Sequence, residues 1–385
     1  KEFVEGNPEV VEKFMRSYRE SGDYVNGNID EAAGLIEKYD PSRRFWPSSP
    51  SDGTFNYPEQ GAWSKQTMGD MHYWEVWHGG QPFESFYTIK PRFCSEFGYQ
   101  SYSSLPTVKT YLPADQYSIY SDAFDNHQKN AAGNQLIKNM FANYFNEPKT
   151  FVHQLYLSQV QQAVAIRMGC EYFRTLKPYT RGMIYWQIND CWPVTSWASI
   201  EYGGRWKQLQ YHAKRFFDPL MPTFYENKNY SEYINNKHTT ITDNTTLSLY
   251  VINDKLTSAT VTATITWMDF DGNVLKEWKV NRHVSNTDTA DIIWQIKSTE
   301  FDDKRNLGFF RCVLTETSTG NIKTNFFFAT EYKNCDLKVA HIDASIKKNR
   351  RNGGTIITLK TDKPAFFVHL ESEKVRKFSD SSMLL

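Results

Sequence analysis

Two patterns of hydrophobic spacing run along the chain, and they meet near residue 222. Before that point apolar residues recur at helical spacing, and short continuous apolar runs lie between the helical segments. Val10, Val11, Phe14, Met15 and Tyr18 mark one face of a helix that Asn7 caps and Pro8 opens. Asn28 and Glu31 form a capping-box-like pair ahead of a second helix, lined by Leu35, Ile36 and Tyr39 and ended by Asp40-Pro41. Val152, Leu155, Tyr156, Val160, Ala163, Val164, Met168 and Tyr172 predict a long helix over 151–175. A further helix carries Leu209, Ala213, Phe216 and Phe217 and stops at Asp218-Pro219. The short runs at 44–46, 69–74, 92–95 and 182–187 read as buried strands. Strands that alternate with helices predict βα units and a parallel sheet. Residues 101–150 are rich in Ser, Tyr and Asn with weak helical signals, and so long an excursion is usually functional.

Beyond 222 the period becomes two. Thr246 to Ile252, Val261 to Trp267, Val274 to Val280, Asp291 to Ile296, Gly308 to Leu314 and Lys323 to Thr330 all alternate. Asp271-Gly272 and Gly320-Asn321 supply turns. This pattern predicts an antiparallel sandwich of immunoglobulin type. Leu337 to Ile346, Thr355 to Leu359 and Ala365 to Leu370 are expected to begin a second sandwich. The expected fold class is therefore multidomain α/β plus all-β, divided at 1–221, 222–333 and 334–385. The first part holds only some of the strands that a (β/α)8 barrel needs. The last holds fewer than a sandwich needs. An internal segment of a longer enzyme is expected.

Lys+Arg and Asp+Glu both number 44, and the zero net charge gives no electrostatic case for nucleic acid or an anionic membrane. No apolar run approaches the roughly 18 residues of a membrane span. No signal-peptide pattern opens the chain, and an export signal upstream of Lys1 stays open. The five cysteines, Cys94, Cys170, Cys191, Cys312 and Cys335, are too scattered for a disulfide framework. His72 and His78 share a segment, but neither HExxH nor CxxC occurs, so no metal is expected. GxGxxG and a phosphate loop are absent too, so no cofactor is expected. Aromatic residues make up 16%, which suits both large cores and sugar-binding clefts.

The segment Arg92-Phe-Cys-Ser-Glu-Phe-Gly-Tyr-Gln100 delivers one carboxylate, Glu96, at the end of a short strand that Gly98 breaks. Barrel enzymes keep catalytic groups at such strand ends. From this segment alone, an ordinary strand-end Glu in a salt bridge is the favoured reading.

Four segments together carry a family likeness: Gly69-Asp-Met-His-Tyr-Trp74, Arg92 to Ser101, Ile184-Tyr-Trp-Gln-Ile-Asn-Asp-Cys-Trp192 and Ser196 to Trp206. In this order they resemble the β-mannosidases of glycoside hydrolase family 2. The resemblance implies a (β/α)8 barrel of which this chain holds strands 5–8, followed by β-sandwich domains. It implies a retaining exo-glycosidase acting on terminal non-reducing β-D-mannose through two Glu residues. Glu96 matches the nucleophile. Glu2 has the spacing of the acid/base, although Lys1 stands before it where the family has Asn; a surface acid is the other reading. His72, Tyr73 and Trp74 match the sixth-strand motif that binds the sugar or the nucleophile, with a buried aromatic cluster as the alternative. Trp186 matches the eighth-strand platform under the sugar, and Asp190 and Trp192 follow as pocket-lining candidates. Trp197 and Trp206 read as core. The implied partners are β-mannoside oligosaccharides or glycan fragments, and the remainder of the same polypeptide with its N-terminal domains and barrel strands 1–4. The implied location is extracytoplasmic or lysosomal. Asn229-Tyr-Ser231 and Asn244-Thr-Thr246 are sequons that decide little about it. Sister exo-glycosidases of the family (β-glucosaminidase, β-galactosidase, β-glucuronidase) and a catalytically impaired carbohydrate-binding relative remain as alternatives.

Overall fold

The computed structural model describes residues 6–42, 46, 48–52, 66–236, 241–286, 289–349 and 353–385. Of the run expected as a strand at 44–46, only Trp46 lies within the described residues, and Glu2 lies outside them.

Two helices come first, α1 (Pro8–Gly27) and α2 (Ile29–Tyr39). The apolar stripe that predicted α1 is uncovered among the described residues: Val10, Phe14, Met15 and Tyr18 are all exposed. The expected Asn28–Glu31 capping box does not form. Asn28 Nδ2 donates back to the Tyr24 carbonyl at 2.8 Å, and Glu31 accepts from the Tyr24 hydroxyl at 3.0 Å. A tyrosine one turn upstream outcompetes the reciprocal cap.

Three strands then form a parallel sheet in the order β1 (Met71–Tyr73), β2 (Phe93–Gly98), β3 (Gly182–Trp186). The predicted alternation of short apolar runs with helices accounts for the parallel pairing, because parallel neighbours need a crossover. Between β1 and β2 the chain makes a short 3-10 helix, Phe83–Thr88. Between β2 and β3 run helices α3 (Gly133–Tyr144) and α4 (Phe151–Thr175). The excursion over 101–150 is thus a set of short helical turns ending in α3. Helix α4 is buried over most of its length. Its Phe173 meets Phe97 of β2 and Phe86 edge-to-face, and its flank packs on α5 (Gln208–Phe216).

The rest is mainly sandwich. One sheet has the order β4 (Leu220–Glu226), β5 (Thr246–Asn253), β8 (Asp291–Lys297). The other has β10 (Ile322–Phe328), β9 (Gly308–Glu316), β6 (Ala259–Asp269), β7 (Val274–Val284). All pairings in both sheets are antiparallel. Leu247, Leu249, Val261, Ile265, Phe310, Cys312 and Leu314 fill the space between them. Strand β4 was not legible as a strand. It is buried on both faces, so no period-two signal appears, and it crosses the expected boundary at 221/222.

The final segment departs from expectation. β11 (Ile342–Lys348) and β12 (Thr355–Thr361) pair as an isolated, largely exposed hairpin. The strand expected at Ala365 to Leu370 does not form. That run instead lies as a strap on α4 and α5: the Tyr156 hydroxyl donates to the Phe367 carbonyl at 2.9 Å, and Ser382 contacts His212 and Gln208. Phe367 fills the core there, and the run pairs only briefly, with Met383 and Leu385 through backbone hydrogen bonds of Val368 and Ala365.

Glu226, at the end of β4, is enclosed by charge. Arg305 forks onto it at 2.7 and 3.1 Å, and Lys228 and the Ser298 hydroxyl also donate. Burial would raise its pKa, but Lys228 and Arg305 outweigh burial and hold it below the usual 4.5. A carboxyl depressed in the folded state contributes stability that is present above its ordinary pKa and lost as pH falls through the folded value. Glu226→Ala strands two cations and is expected to cost about 3–5 kcal/mol in urea unfolding at neutral pH. The loss should shrink as pH falls through the depressed folded value, where wild-type Glu226 itself becomes protonated.

Candidate active site

The side chains of β1 alternate between faces. His72 and Trp74 reach one side with Asp70, while Met71 and Tyr73 turn into the core. The Cα register sets His72 against Glu96 of β2. Trp74 Nε1–H donates to Glu96 Oε1 at 3.1 Å, and His72 Nδ1 lies 3.8 Å from the same oxygen. The Glu96 side chain keeps 28% of its exposure. The carboxylate is therefore anchored by one N–H on one oxygen and still open to an incoming molecule.

Trp186 closes the row. It ends β3, is paired in register with Gly98, and remains 44% exposed. A Cβ on Gly98 would sit 2.5 Å from the Trp186 carbonyl and 3.0 Å from both the Trp74 and Trp197 rings. Gly98 is thus the point where three tryptophans converge beside Glu96. Trp197, expected in the core, is half-buried and packs edge-on against Trp74 and Trp77.

The remaining sequence candidates fall differently. Tyr73, expected at the sugar, is buried instead; its hydroxyl donates to the Ser85 carbonyl at 3.1 Å and its ring meets Phe86. The reason is strand alternation: neighbours of the site-facing His72 and Trp74 must point the other way. Burial pushes the Tyr73 phenol up to about 12. Asp190 is buried with both oxygens engaged, by Lys129 Nζ at 3.0 Å and the Ser196 hydroxyl at 2.7 Å. It ties the 101–150 excursion to the loop after β3. Trp192 is partly exposed on that loop, with the His127 ring 5.5 Å away.

Asp70 and Ser49 were not singled out by sequence reasoning. Asp70 is buried behind Glu96. Its Oδ1 accepts from Ser51 N–H at 2.8 Å and Trp46 Nε1–H at 3.2 Å; its Oδ2 accepts from Ser49 Oγ at 2.7 Å and from Ser95 Oγ. Burial works to raise its pKa, but these donors, Ser95 and Ser49 foremost, outweigh it and hold the carboxyl below its usual range. Asp70 was visible in the Gly69-to-Trp74 motif. Ser49 was not, because only the fold brings it to Asp70.

Among the described residues no group of three or more His, Cys, Asp or Glu side chains is arranged to hold a metal ion. A cavity of about 370 Å³ lies elsewhere, between α4 and the sandwich, lined in part by Tyr87, Arg167, Glu171 and Tyr225. Its Glu171 is already held by Arg167, Thr223 and Asn325, and its Glu84 accepts from Tyr144. The strand-end carboxylate, ringed by Trp and His, is the stronger candidate for chemistry.

Comparison with known proteins agrees with this geometry. Residues 245–334 match the Mannosidase Ig/CBM-like domain family. The β-mannosidase of Capra hircus is 33% identical over 225 residues, which is 54% of this chain and 25% of that protein. β-Mannosidase B of Aspergillus terreus is 32% identical over 193 residues, 48% of this chain and 22% of that protein. The crystal structure of a β-D-mannosidase from Dictyoglomus thermophilum superposes with a TM-score of 0.75 at 26% identity, over 91% of this chain and 40% of that one. The chain is similar to these β-mannosidases over about half of its own length. It spans about a quarter of the length of the curated relatives it matches. An exo-chitosanase from Amycolatopsis orientalis shares the fold, with a TM-score of 0.55 at 17% identity over 79% of this chain and 40% of that one. The match to the immunoglobulin-like family model runs from the start of β5 to just past β10.

In this chain Gly98 is poorly able to accept a side chain beside Glu96. Gly98→Ala is expected to cost about 1–3 kcal/mol through overpacking. It should also shift the intrinsic fluorescence of the tryptophans around it. A variant with wild-type stability and emission would show that the strand ends separate freely.

Proposed function

We propose that this chain forms part of a retaining exo-glycosidase that releases terminal non-reducing β-D-mannose by double displacement. The observation that carries the reading is Glu96 at the end of a parallel strand, held by Trp74 and flanked by His72, with the exposed Trp186 on the next strand. The N–H donated by Trp74 fixes the orientation of the carboxylate at the strand end. Trp186 offers an apolar face to the sugar ring, a contact worth on the order of 1 kcal/mol. Glu96 attacks the anomeric carbon as the glycosidic C–O bond breaks and the aglycone leaves as an alcohol with a proton from the acid/base; water, giving a proton back to that group, then displaces Glu96 and releases mannose. Glu2 is the proposed acid/base, which requires the two carboxyls about 5–5.5 Å apart.

The three parallel strands, each beside its predecessor, support an arc of a (β/α)8 barrel at 1–221, with an immunoglobulin-like domain at 222–333 and a further β-domain at 334–385. Among the described residues β1 and β3 each have one unpaired edge, and the apolar stripe of α1 is uncovered. The remainder of a longer polypeptide would cover these surfaces. β-Mannoside oligosaccharides or glycan fragments are the proposed substrates. An extracytoplasmic or lysosomal site is the proposed location, and no helix among the described residues is long and apolar enough to cross a membrane.

In the full-length polypeptide Glu96→Gln is expected to lose several orders of magnitude in kcat while mannose binding survives, because a nucleophile acts mainly in the transition state. Near-normal turnover would remove Glu96 from this role. A panel of 4-nitrophenyl glycosides should show the mannoside preferred over the glucosaminide, galactoside and glucuronide; any other order would favour a sister activity of the family. No turnover of any glycoside would favour the carbohydrate-binding relative. For Glu2→Ala, substrates with good leaving groups should still glycosylate the enzyme, and added azide should restore turnover. Failure of azide rescue would place the acid/base elsewhere.

A further inference from the structure

We propose that the cavity between α4 and the sandwich is a carbohydrate-binding site of its own, in which the hydroxyls of Tyr87, Tyr172 and Tyr225 receive a neutral sugar unit. The inference goes beyond the glycosidase reading, since the cavity shares no lining residue with the Glu96 site. Only the choice of a glycan as the source of the sugar rests on that reading.

The volume, about 370 Å³, falls inside the roughly 300–1,000 Å³ range of small-ligand clefts. Three elements each bring one tyrosine to its wall: Tyr87 from the 3-10 helix before β2, Tyr172 from α4 and Tyr225 from β4. The ring centroids lie 5.1 Å apart for Tyr87–Tyr172, 5.3 Å for Tyr87–Tyr225 and 5.2 Å for Tyr172–Tyr225. The rings therefore brace one another before any ligand arrives. Their hydroxyls are left over. None of the three has a hydrogen-bond partner among the described residues, and none is sealed from solvent. Yet Tyr172 as a whole is only 4% exposed. Tyrosine hydroxyls in such surroundings usually find a partner. Two others on the same wall do: Tyr144 donates to Glu84 at 2.6 Å, and Tyr230 to the Glu226 carbonyl at 2.7 Å.

The charges around the cavity decide the class of ligand. Arg167 is paired with Glu171, and Arg305 and Lys228 are paired with Glu226. Asp302 pairs with Arg305, and Glu331 accepts from the Tyr233 hydroxyl. Burial raises the Glu84 pKa and so favours its neutral form. An ion entering here would shed its water and meet counter-charges that are already engaged. Burial also raises all three phenols, Tyr172 to about 12, so each keeps its proton at neutral pH. A protonated phenol both donates and accepts. The wall thus offers amphoteric hydroxyls beside apolar ring surface. A neutral sugar carries the matching set, with hydroxyls at its rim and C–H groups on its faces. A purely apolar ligand would leave the three hydroxyls unpartnered.

The test is calorimetric titration of the full-length polypeptide, carrying Glu96→Gln to prevent turnover, with methyl β-D-mannopyranoside. Two sites are expected. Trp186→Ala should weaken the one beside Glu96 and leave the other. Tyr87→Phe, Tyr172→Phe and Tyr225→Phe together keep the rings and should weaken the second site by about tenfold or more. With Glu96 intact, the same triple variant should hydrolyse 4-nitrophenyl β-D-mannoside with kcat within about twofold of wild type, as distant sites act independently. Its urea midpoint should not fall, because the hydroxyls removed have no partner to lose. A single mannoside site that Trp186→Ala abolishes would overturn the proposal. So would a second site indifferent to the three tyrosines, or a lowered midpoint, which would show their hydroxyls already engaged within the protein. Tighter binding of glucuronate than of the mannoside at the tyrosine site would overturn the neutral class of ligand. A wild type that hydrolyses no glycoside would defeat the glycosidase reading alone; a mannoside site that survives Trp186→Ala and is lost with the tyrosine hydroxyls would still uphold this one.

Discussion

Most buried amides are hydrogen-bonded, and in this structure three that clamp the strand ends lie in one turn of α4. Gln159, Gln161 and Gln162 are each at most 2% exposed. Gln162 Nε2 donates to the carbonyls of Tyr99 and Trp197 at 2.8 and 3.0 Å, while its Oε1 accepts from the Ser101 hydroxyl. Gln161 donates to the Tyr99 hydroxyl, its Oε1 having no partner among the described residues, and Gln159 donates to the Tyr102 carbonyl and accepts from the Gln208 backbone N–H. The segments clamped in this way are those that leave β2 just after Glu96 and β3 just after Trp186. Lys207 adds to the clamp from α5's leading edge, donating to the carbonyls of Ser101 and Ser196. Burial lowers the Lys207 pKa, so this ammonium stays in place only because those carbonyls and the nearby Asp190 and Glu201 receive it. The strand ends that carry the candidate chemistry are thus set by polar groups behind them.

The same helix holds the sandwich with its other flank. Arg167 donates to the Phe326 carbonyl at 2.7 Å and to Asn325 Oδ1 at 2.8 Å, and its ion pair with Glu171 lies at 3.0 Å. Glu171 in turn accepts from the Thr223 hydroxyl and Asn325 Nδ2. One turn further on, Arg174 donates to the carbonyls of Phe216 and Asp218 and pairs with Asp254. Burial lowers the Arg174 pKa to about 10, which leaves it charged at neutral pH. Apolar contact alone would let two domains slide; hydrogen bonds to fixed carbonyls set one relative position. Site and sandwich are therefore registered to a common helix.

This arrangement explains what was legible in the sequence. The parallel strands could be read because each is a short apolar run beside a turn, and Glu96 stood out because Gly98 follows it. Helix α4 could be found from its apolar spacing. Its glutamines could not be assigned, since a Gln on a predicted helix reads as a solvated position. β4 was missed because burial on both faces erases alternation. Ala365 to Leu370 misled for the opposite reason: an apolar run was read as a strand although it packs as a strap. His72, Tyr73 and Trp74 were grouped because together they resemble one family motif, yet in a strand adjacency separates side chains and only alternate residues share a face.

That rule of alternation also fixes what kind of site β1 can build. Only Asp70, His72 and Trp74 reach the Glu96 side, and each supplies a different function at increasing distance from the core. Asp70, deepest, is an anion saturated by donors. His72, in the middle, is joined to it through Ser49. Trp74, outermost, gives its N–H to Glu96. Polarity thus falls outward on β1, while Gly98 on the neighbouring strand lets Trp186 and Trp197 close over the same point. The fold thus holds the Glu96 carboxylate from one side with a single indole N–H and leaves it 28% exposed on the other.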